Sequence, residues 1–134
     1  MSSLIGRKGR CEWIVTEQLT AAALGNGSVR VFATPFMIAL MEKASVAALE
    51  GALEPGQGTV GTRIDATHEA ATPVGGKVWA EAVVTAVDRR KLFLQVTAYD
   101  ERGVIGRGTH ERFIIDVARF LEKAQLDLRK DGQK

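Results

Sequence analysis

Cysteine is nearly absent from this chain: Cys11 is the single thiol. One cysteine excludes an internal disulfide. With neither a CxxC pair nor Cys/His spacing around it, no metal site is expected, and Cys11 reads as a spectator. Long apolar runs are missing as well. None reaches the roughly 18 residues that a membrane-spanning helix needs, and Met1 to Arg10 is polar and basic without the apolar centre of a signal peptide, so the expectation is a cytoplasmic protein with no membrane partner. Charge of one sign is scarce: 18 Lys and Arg against 16 Asp and Glu leave a net +2. So small an excess, dispersed apart from Arg7-Lys8-Arg10 and Arg89-Arg90-Lys91, argues against a nucleic-acid partner. What the chain does have is an ordinary globular composition over 134 residues, 46% apolar and 25% charged. That predicts one domain spanning 1–134, with residues 1–10 and 130–134 flexible.

The segment Thr34 to Leu49 is the most informative. It has helical periodicity and is apolar nearly all round, a pattern that belongs in a core, yet it carries Glu42 in its middle. Ile38 and Ala39 one turn before and Ser45 and Val46 one turn after offer that carboxylate no charge partner on its own helix face. An isolated carboxylate in apolar surroundings either finds a partner or resists ionisation, and a chain that keeps one has placed it where chemistry or ligand binding needs it. The alternative is a structural acid at the helix edge, paired with Lys43 or a distant Arg. Thr34 before Pro35 is a start signal, and predicts a Thr34 N-cap. Gly51 ends the helix, and Glu54-Pro55-Gly56 turns the chain.

Beyond the helix the period changes to two. Thr59 to His68 puts Val60, Ile64, Ala66 and His68 on one face, opposite Arg63 and Asp65. Lys77 to Val87 aligns Val78, Ala80, Ala82, Val84 and Ala86. Leu92, Leu94, Val96 and Ala98 mark a third strand, and Val104 to Ile115 a fourth that sets Val104, His110, Arg112 and Ile114 on one side. The short turns between these strands allow only antiparallel neighbours. A further strand around Cys11 to Thr20 precedes the helix. Asp116 is placed to cap a terminal amphipathic helix bearing Val117, Phe120, Leu121 and Leu128.

One strand, a buried helix and four antiparallel strands have one economical packing, an α+β architecture in which a five-stranded sheet curls around the central helix and covers it on every side. That is the hotdog arrangement. Five segments carry a more specific resemblance: Val31-Phe32-Ala33-Thr34-Pro35-Phe36-Met37, the helix acid Glu42, Gly58-Thr59-Val60-Gly61-Thr62, Thr67-His68-Glu69-Ala70-Ala71-Thr72-Pro73 and Gly106-Arg107-Gly108-Thr109-His110-Glu111-Arg112. In order and spacing they resemble the fluoroacetyl-CoA thioesterase group of hotdog proteins. The resemblance implies Thr34, Glu42 and His68 as the catalytic set, and Gly61, Arg112 and Phe36 as substrate contacts. It implies an acyl-CoA substrate, no cofactor besides that thioester, and a homodimer joined sheet edge to sheet edge, with pairing of dimers into a tetramer left open.

The residue chemistry is compatible with this. Thioester hydrolysis needs a nucleophile or an activated water, together with donors for the oxyanion. Glu42 can act as base or nucleophile, His68 can move the proton to the departing thiol, and Thr34 can attack or donate a hydrogen bond. Gly61 interrupts a strand, which suggests that something approaches its backbone, and an acyl group or thioester carbonyl is the expected object. His110 reads as structural, whereas Arg112 suits either a core carboxylate or a CoA group. One departure concerns selectivity. The fluoroacetyl-specific enzyme carries a longer, phenylalanine-bearing lid before the Val-Phe-Ala-Thr segment, whereas Thr20 to Arg30 here is short and has no aromatic residue. The expectation is an acyl-CoA thioesterase for small or medium acyl groups without fluoroacetyl specificity. The alternatives are a non-catalytic acyl-CoA binder and a hotdog hydratase or dehydratase.

Overall fold

Alternating and helical patterns set out β1 (Lys8–Ile14), α1 (Thr34–Ala48), β2 (Gln57–His68), β3 (Lys77–Asp88), β4 (Lys91–Asp100), β5 (Gly103–Asp116) and α2 (Val117–Gly132), in a computed structural model that describes residues 2–132. All five strands join one antiparallel sheet in the order β1-β3-β4-β5-β2, so β1 and β2 are its edges. Tight turns make β3–β4 and β4–β5 neighbouring hairpins, while β1 and β2 reach opposite edges through longer connections. No helix among the described residues is long and apolar enough to cross a membrane.

The core lies between α1 and the inner face of the sheet. Met37, Leu40, Met41 and Ala44 are fully buried there against Val78, Ala80, Ala82 and Val84 of β3 and Leu92, Leu94, Val96 and Ala98 of β4. Each large aliphatic side chain so buried contributes roughly 1.5–3 kcal/mol. Glycine brings the helix close to the sheet. A Cβ on Gly9 of β1 would overlap the Ala44 carbonyl oxygen and the Ala48 amide nitrogen. On Gly106 of β5 it would stand 2.5 Å from both the Met37 Sδ and the Thr67 carbonyl oxygen. At the other end Arg7 donates to the carbonyls of Ala48 (2.8 Å) and Glu50 (2.7 Å), closing the last turn of α1 with a cation.

The observed fold is the expected hotdog-type architecture, with several differences from the sequence pattern. The sheet covers only one side of α1. On the other side Thr34, Pro35 and Lys43 are exposed, Val46 is 51% exposed, and Ile38, Ala39 and Glu42 are half-buried, because one sheet can press on only one face of a cylinder. Register shifts in three strand pairs, at Gly61/Arg63, Val84/Ala86 and Ala98/Tyr99, move expected inward residues to the outer face. Val60 therefore pairs with the exposed Phe113, Ala86 with Phe93, and Val104 with Tyr99, while Val87 and Ile105 take the inward places. The first strand begins earlier than expected, at Lys8, and ends at Ile14, after which Glu17–Leu19 forms a 3-10 turn. Instead of a flexible start, the N-terminal segment is anchored: Leu4 is buried and the Gly6 amide donates to the Val84 carbonyl. Asp116 caps α2 as expected, accepting from the Arg119 amide at 3.1 Å. The expected flexibility of residues 130–134 falls partly outside the described residues, which end at Gly132.

Gly9→Ala is expected to destabilise the fold by about 2 kcal/mol or more, because a methyl group there meets helix backbone that has no rotamer with which to yield. Urea denaturation checks this. A midpoint equal to that of the unsubstituted protein would mean that α1 does not sit at this distance.

Candidate functional site

Thr34 is the first helical residue and not the cap. Ala33, extended at φ −79° and ψ 143°, occupies the cap position, and no side chain caps the helix. The hydroxyl turns instead toward the end of β2, where Thr34 Oγ1 and His68 Nδ1 are 2.8 Å apart. The hydroxyl donates in this bond when the ring proton sits on Nε2. A tertiary partner has displaced a local one.

Several long-range contacts hold His68 in place. The buried Phe32 ring stands edge-on to the imidazole at 6.5 Å and 80°. The register shift in the β4–β5 pairing adds Ile105, whose carbonyl accepts from the amides of Glu69 (2.6 Å) and Ala70 (3.2 Å), fastening the chain just after His68. Farther along, Thr72 Oγ1 donates to Asp100 Oδ2 at 2.7 Å, and Arg102 meets the same carboxylate through its backbone amide and its guanidinium. Burial works against the Asp100 charge, but these hydrogen bonds outweigh it and hold the carboxyl below its ordinary 3.8. The Phe32 amide in turn donates to the Thr72 carbonyl at 2.8 Å, which ties the segment before α1 to the loop after β2. Burial pushes His68 below its ordinary 6.5, with the Ala70 backbone partly opposing. Its Nε2 is buried and has no hydrogen-bond partner among the described residues.

Thr34 and His68 open into a cleft of about 280 Å³ whose walls include Ala21, Asn26, Val29, Val31 and Phe32. The Thr20 to Arg30 segment thus contributes small and aliphatic side chains to this wall. Phe36 lies outside it, half-buried against the core.

Glu42 belongs to a second cluster. Its side chain is 43% exposed, and Oε2 accepts from Arg112 NH1 at 3.3 Å, the Arg112 side chain being only 6% exposed. The partner missing from the helix face is supplied by β5. Arg112 is fixed from other directions as well: Nε donates to Thr59 Oγ1 (2.9 Å), NH2 donates to the Thr59 carbonyl (3.0 Å), and NH1 lies 3.2 Å from His110 Nε2. Burial pulls Arg112 below its ordinary value, and Glu42 pulls it back. Gly61 is where the cluster needs room. A Cβ there would sit 2.6 Å from Glu42 Oε2, 3.1 Å from His110 Cε1 and 3.3 Å from Arg112 NH1. Within the single chain, the group that approaches the Gly61 backbone is the Glu42 carboxylate.

Thr34 is thus brought to His68, and Glu42 to Gly61 and Arg112. The two clusters are not brought to each other within one chain: Glu42 lies two turns beyond Thr34, about 12 Å along the axis at 1.5 Å per residue. Phe32, Thr59 and Thr72 lie in the segments that carry the family resemblance, but their roles and that of Asp100 were not singled out, since each acts through a residue distant along the chain. Among the described residues no three His, Cys, Asp or Glu side chains gather as a metal site.

A family model described as fluoroacetyl-CoA-specific thioesterase matches residues 15–118. The fluoroacetyl-CoA thioesterase of Streptantibioticus cattleyicolor is 47% identical over 95 residues, covering 71% of this chain and 68% of that protein. A threonine-to-serine variant of the fluoroacetyl-CoA thioesterase, solved in complex with acetyl-CoA, superposes with a TM-score of 0.85 at 38% identity over 92% of this chain and 97% of that one. A thioesterase superfamily member from Thermus thermophilus gives a TM-score of 0.86 at 28% identity, over 96% and 95% of the two chains. The matched span contains both side-chain clusters and all of the sheet beyond β1, and the chain belongs to the fluoroacetyl-CoA-specific thioesterase family, a thioester hydrolase of the hotdog fold.

Proposed function

We propose that the protein hydrolyses small acyl-CoA thioesters in a homodimer whose sites combine Thr34 and His68 of one protomer with Glu42 of the other. The observation that carries this is the separation of the two clusters along one helix. Thr34, Ile38, Glu42 and Val46 form a single i, i+4 row on the side of α1 that the sheet leaves uncovered. Ile38 is the midpoint between Thr34 and Glu42. A two-fold axis passing beside Ile38 sets two α1 helices antiparallel and brings Glu42 of each opposite Thr34 of the other. The same association covers Ile38 and Val46, and β2 offers a free edge for sheet continuation.

In this scheme Thr34 Oγ1 attacks the thioester carbonyl while His68 Nδ1 takes its proton. Collapse of the tetrahedral intermediate breaks the C–S bond, CoA leaves as the thiol carrying that proton, and the acyl group remains as an ester on Thr34. Glu42 then takes a proton from a water that attacks this ester and passes it to the departing Thr34 oxygen, restoring the threonine and its own carboxylate, and the released acid ionises to the carboxylate product. The positive end of α1 favours the developing oxyanion; Pro35 has no N–H and the Phe36 and Met37 amides donate to the Ala33 carbonyl, so the Thr34 amide is the N-terminal donor beside the hydroxyl. No cofactor beyond the CoA thioester is needed. The 280 Å³ cleft suits a small acyl group. Its aliphatic wall from Ala21 and Val29 supports broad acceptance over selection for fluoroacetate. A cytoplasmic location fits both a CoA-dependent reaction and the free Cys11.

Free-thiol release from a graded acyl-CoA panel tests the reading. Thr34→Ala, Glu42→Ala and His68→Ala should each lower kcat by about 10²-fold or more. Under the same scheme, Glu42→Ala accumulates an acyl adduct on Thr34, visible as a mass increase of the intact protein. Bound acyl-CoA that stays intact in the unsubstituted protein would make it a binding protein instead. Shared sites give a further expectation: mixing Thr34→Ala and Glu42→Ala chains should restore about one quarter of full activity, since half the dimers then hold one complete site. No recovery in a proven heterodimer would assign all three groups to one chain.

The pH dependence follows from His68. Because burial keeps its pKa under 6.5, the base stays neutral as pH falls to that value, and kcat/KM should decline only below it. Folding has the same sign. Both histidines are harder to protonate folded than unfolded, so their contribution to stability is complete above 6.5 and is lost as pH falls beneath it. Melting temperatures recorded between about pH 8 and 5 should therefore drop on the acid side, and a flat profile would contradict the burial of these rings.

A further inference from the structure

We propose that His110, as a neutral imidazole, is the positioning residue that locks Arg112 and, through it, aims the Glu42 carboxylate. This rests on the catalytic reading of Glu42. His110 is 2% exposed on the inner face of β5 and touches neither the Thr34 cleft nor solvent, so its task lies in what it holds. Its Nδ1 is 2.8 Å from the Arg63 carbonyl oxygen, an atom that only accepts, so the ring proton resides on Nδ1. Nε2 is then a bare lone pair 3.2 Å from Arg112 NH1, a nitrogen that only donates. One protonation state satisfies both contacts. A doubly protonated ring would set an N–H against the guanidinium.

The charged groups around the ring are Arg112 and Glu111 from β5 and Glu42 from α1, and β2 presents the Arg63 carbonyl. Burial first, and then the Arg112 charge, hold His110 below its ordinary value, against the Arg63 backbone and the two acids. The neutral form is therefore the working form. The Arg63 carbonyl lies at the register shift between Gly61 and Arg63, so the shift in β2, the imidazole, the guanidinium and the carboxylate form one chain of contacts ending at Glu42. Thr59 fixes Nε and NH2 of Arg112, while NH1, the nitrogen facing Glu42, is shared with His110 alone among the described residues. Without the His110 lone pair the ion pair persists but its orientation is free, and a misplaced general base loses rate more than substrate affinity.

Two substitutions separate the roles. His110→Asn keeps a donor for the Arg63 carbonyl and has no atom at the Nε2 position. His110→Gln places an amide oxygen near that position and restores an acceptor for Arg112. The expected result is a kcat about tenfold lower in His110→Asn with KM within about twofold, and most of the loss recovered in His110→Gln. In a Glu42→Gln background, His110→Asn should lower turnover no further. The same fold-loss from His110→Asn in both backgrounds, or equal loss in the Asn and Gln variants, would overturn the proposal and leave His110 a packing residue. Should His110→Asn prove unstable, as judged by its melting temperature, His110→Gln decides alone: a kcat within about threefold of the unsubstituted protein supports the acceptor role, and a loss of about tenfold or more in a folded His110→Gln protein overturns it. Full activity in Glu42→Gln alone would overturn the catalytic reading and this inference together, whereas an impaired Glu42→Gln beside a fully active His110→Asn would overturn this inference alone.

Discussion

Close approach between the backbone of α1 and the inner face of the sheet is the constraint on which both side-chain clusters depend. It is enforced at glycines where a methyl group would strike the facing atoms: Gly9 against Ala44 and Ala48, Gly106 against Met37, and Gly61 against the Glu42 carboxylate. An alanine at Gly9 would strike helix backbone and move α1 outward, whereas at Gly106 and Gly61 it would displace the Met37 and Glu42 side chains. With α1 moved outward, the Thr34 hydroxyl would fall short of His68 Nδ1, and Glu42 would fall short of Arg112. Interiors this dense transmit small displacements and do not absorb them, so packing chosen for stability is also what sets the site.

Arg112 is the costliest element of that arrangement. A guanidinium almost wholly inside the protein loses its hydration, and such burial is tolerated only where each direction of the fork finds an acceptor. Thr59 from β2, Glu42 from α1 and His110 from β5 provide them, so a single cation ties three elements together. The half-exposed Glu42 is its outlet toward solvent. This explains why a carboxylate in an apolar helix is tolerable: its counter-charge sits behind it in the sheet, and its free side faces outward along the uncovered row of α1.

That uncovered row links the fold to catalysis. An open sheet protects one side of a helix, leaving Ile38 half-buried and Val46 exposed in the single chain, and the same row bears Thr34 and Glu42. In the proposed dimer, the surface that most needs covering is also the surface on which the two half-sites meet. Association and chemistry would then rest on the same residues, and the acyl group would be enclosed only when two copies are joined.

Much of the fold was legible locally. Alternation marked β2 to β5, the Thr34-Pro35 pair and Gly51 bounded α1, and short polar turns dictated antiparallel neighbours, because each of these depends on residues adjacent in the chain. Thr34, Glu42, His68, Gly61 and Arg112 could be picked out as candidates by residue type and by likeness to a family. Which residues they would meet stayed open, since a distant Arg for Glu42 and a core carboxylate for Arg112 were each only one of two readings. The outward turn of Val60, Ala86 and Val104 follows from register shifts that exist only between strands, and a strict period of two carries no sign of them. Thr34 gave up its capping role to a histidine that β2 delivers, and Glu42 found its cation on β5. The sequence by itself determined which segments are helix or strand and which side chains are available for chemistry, since periodicity and turn residues act over a few positions. Only the tertiary structure decided which faces are covered, which groups meet and how their charges balance, since those depend on pairings between segments far apart in the chain.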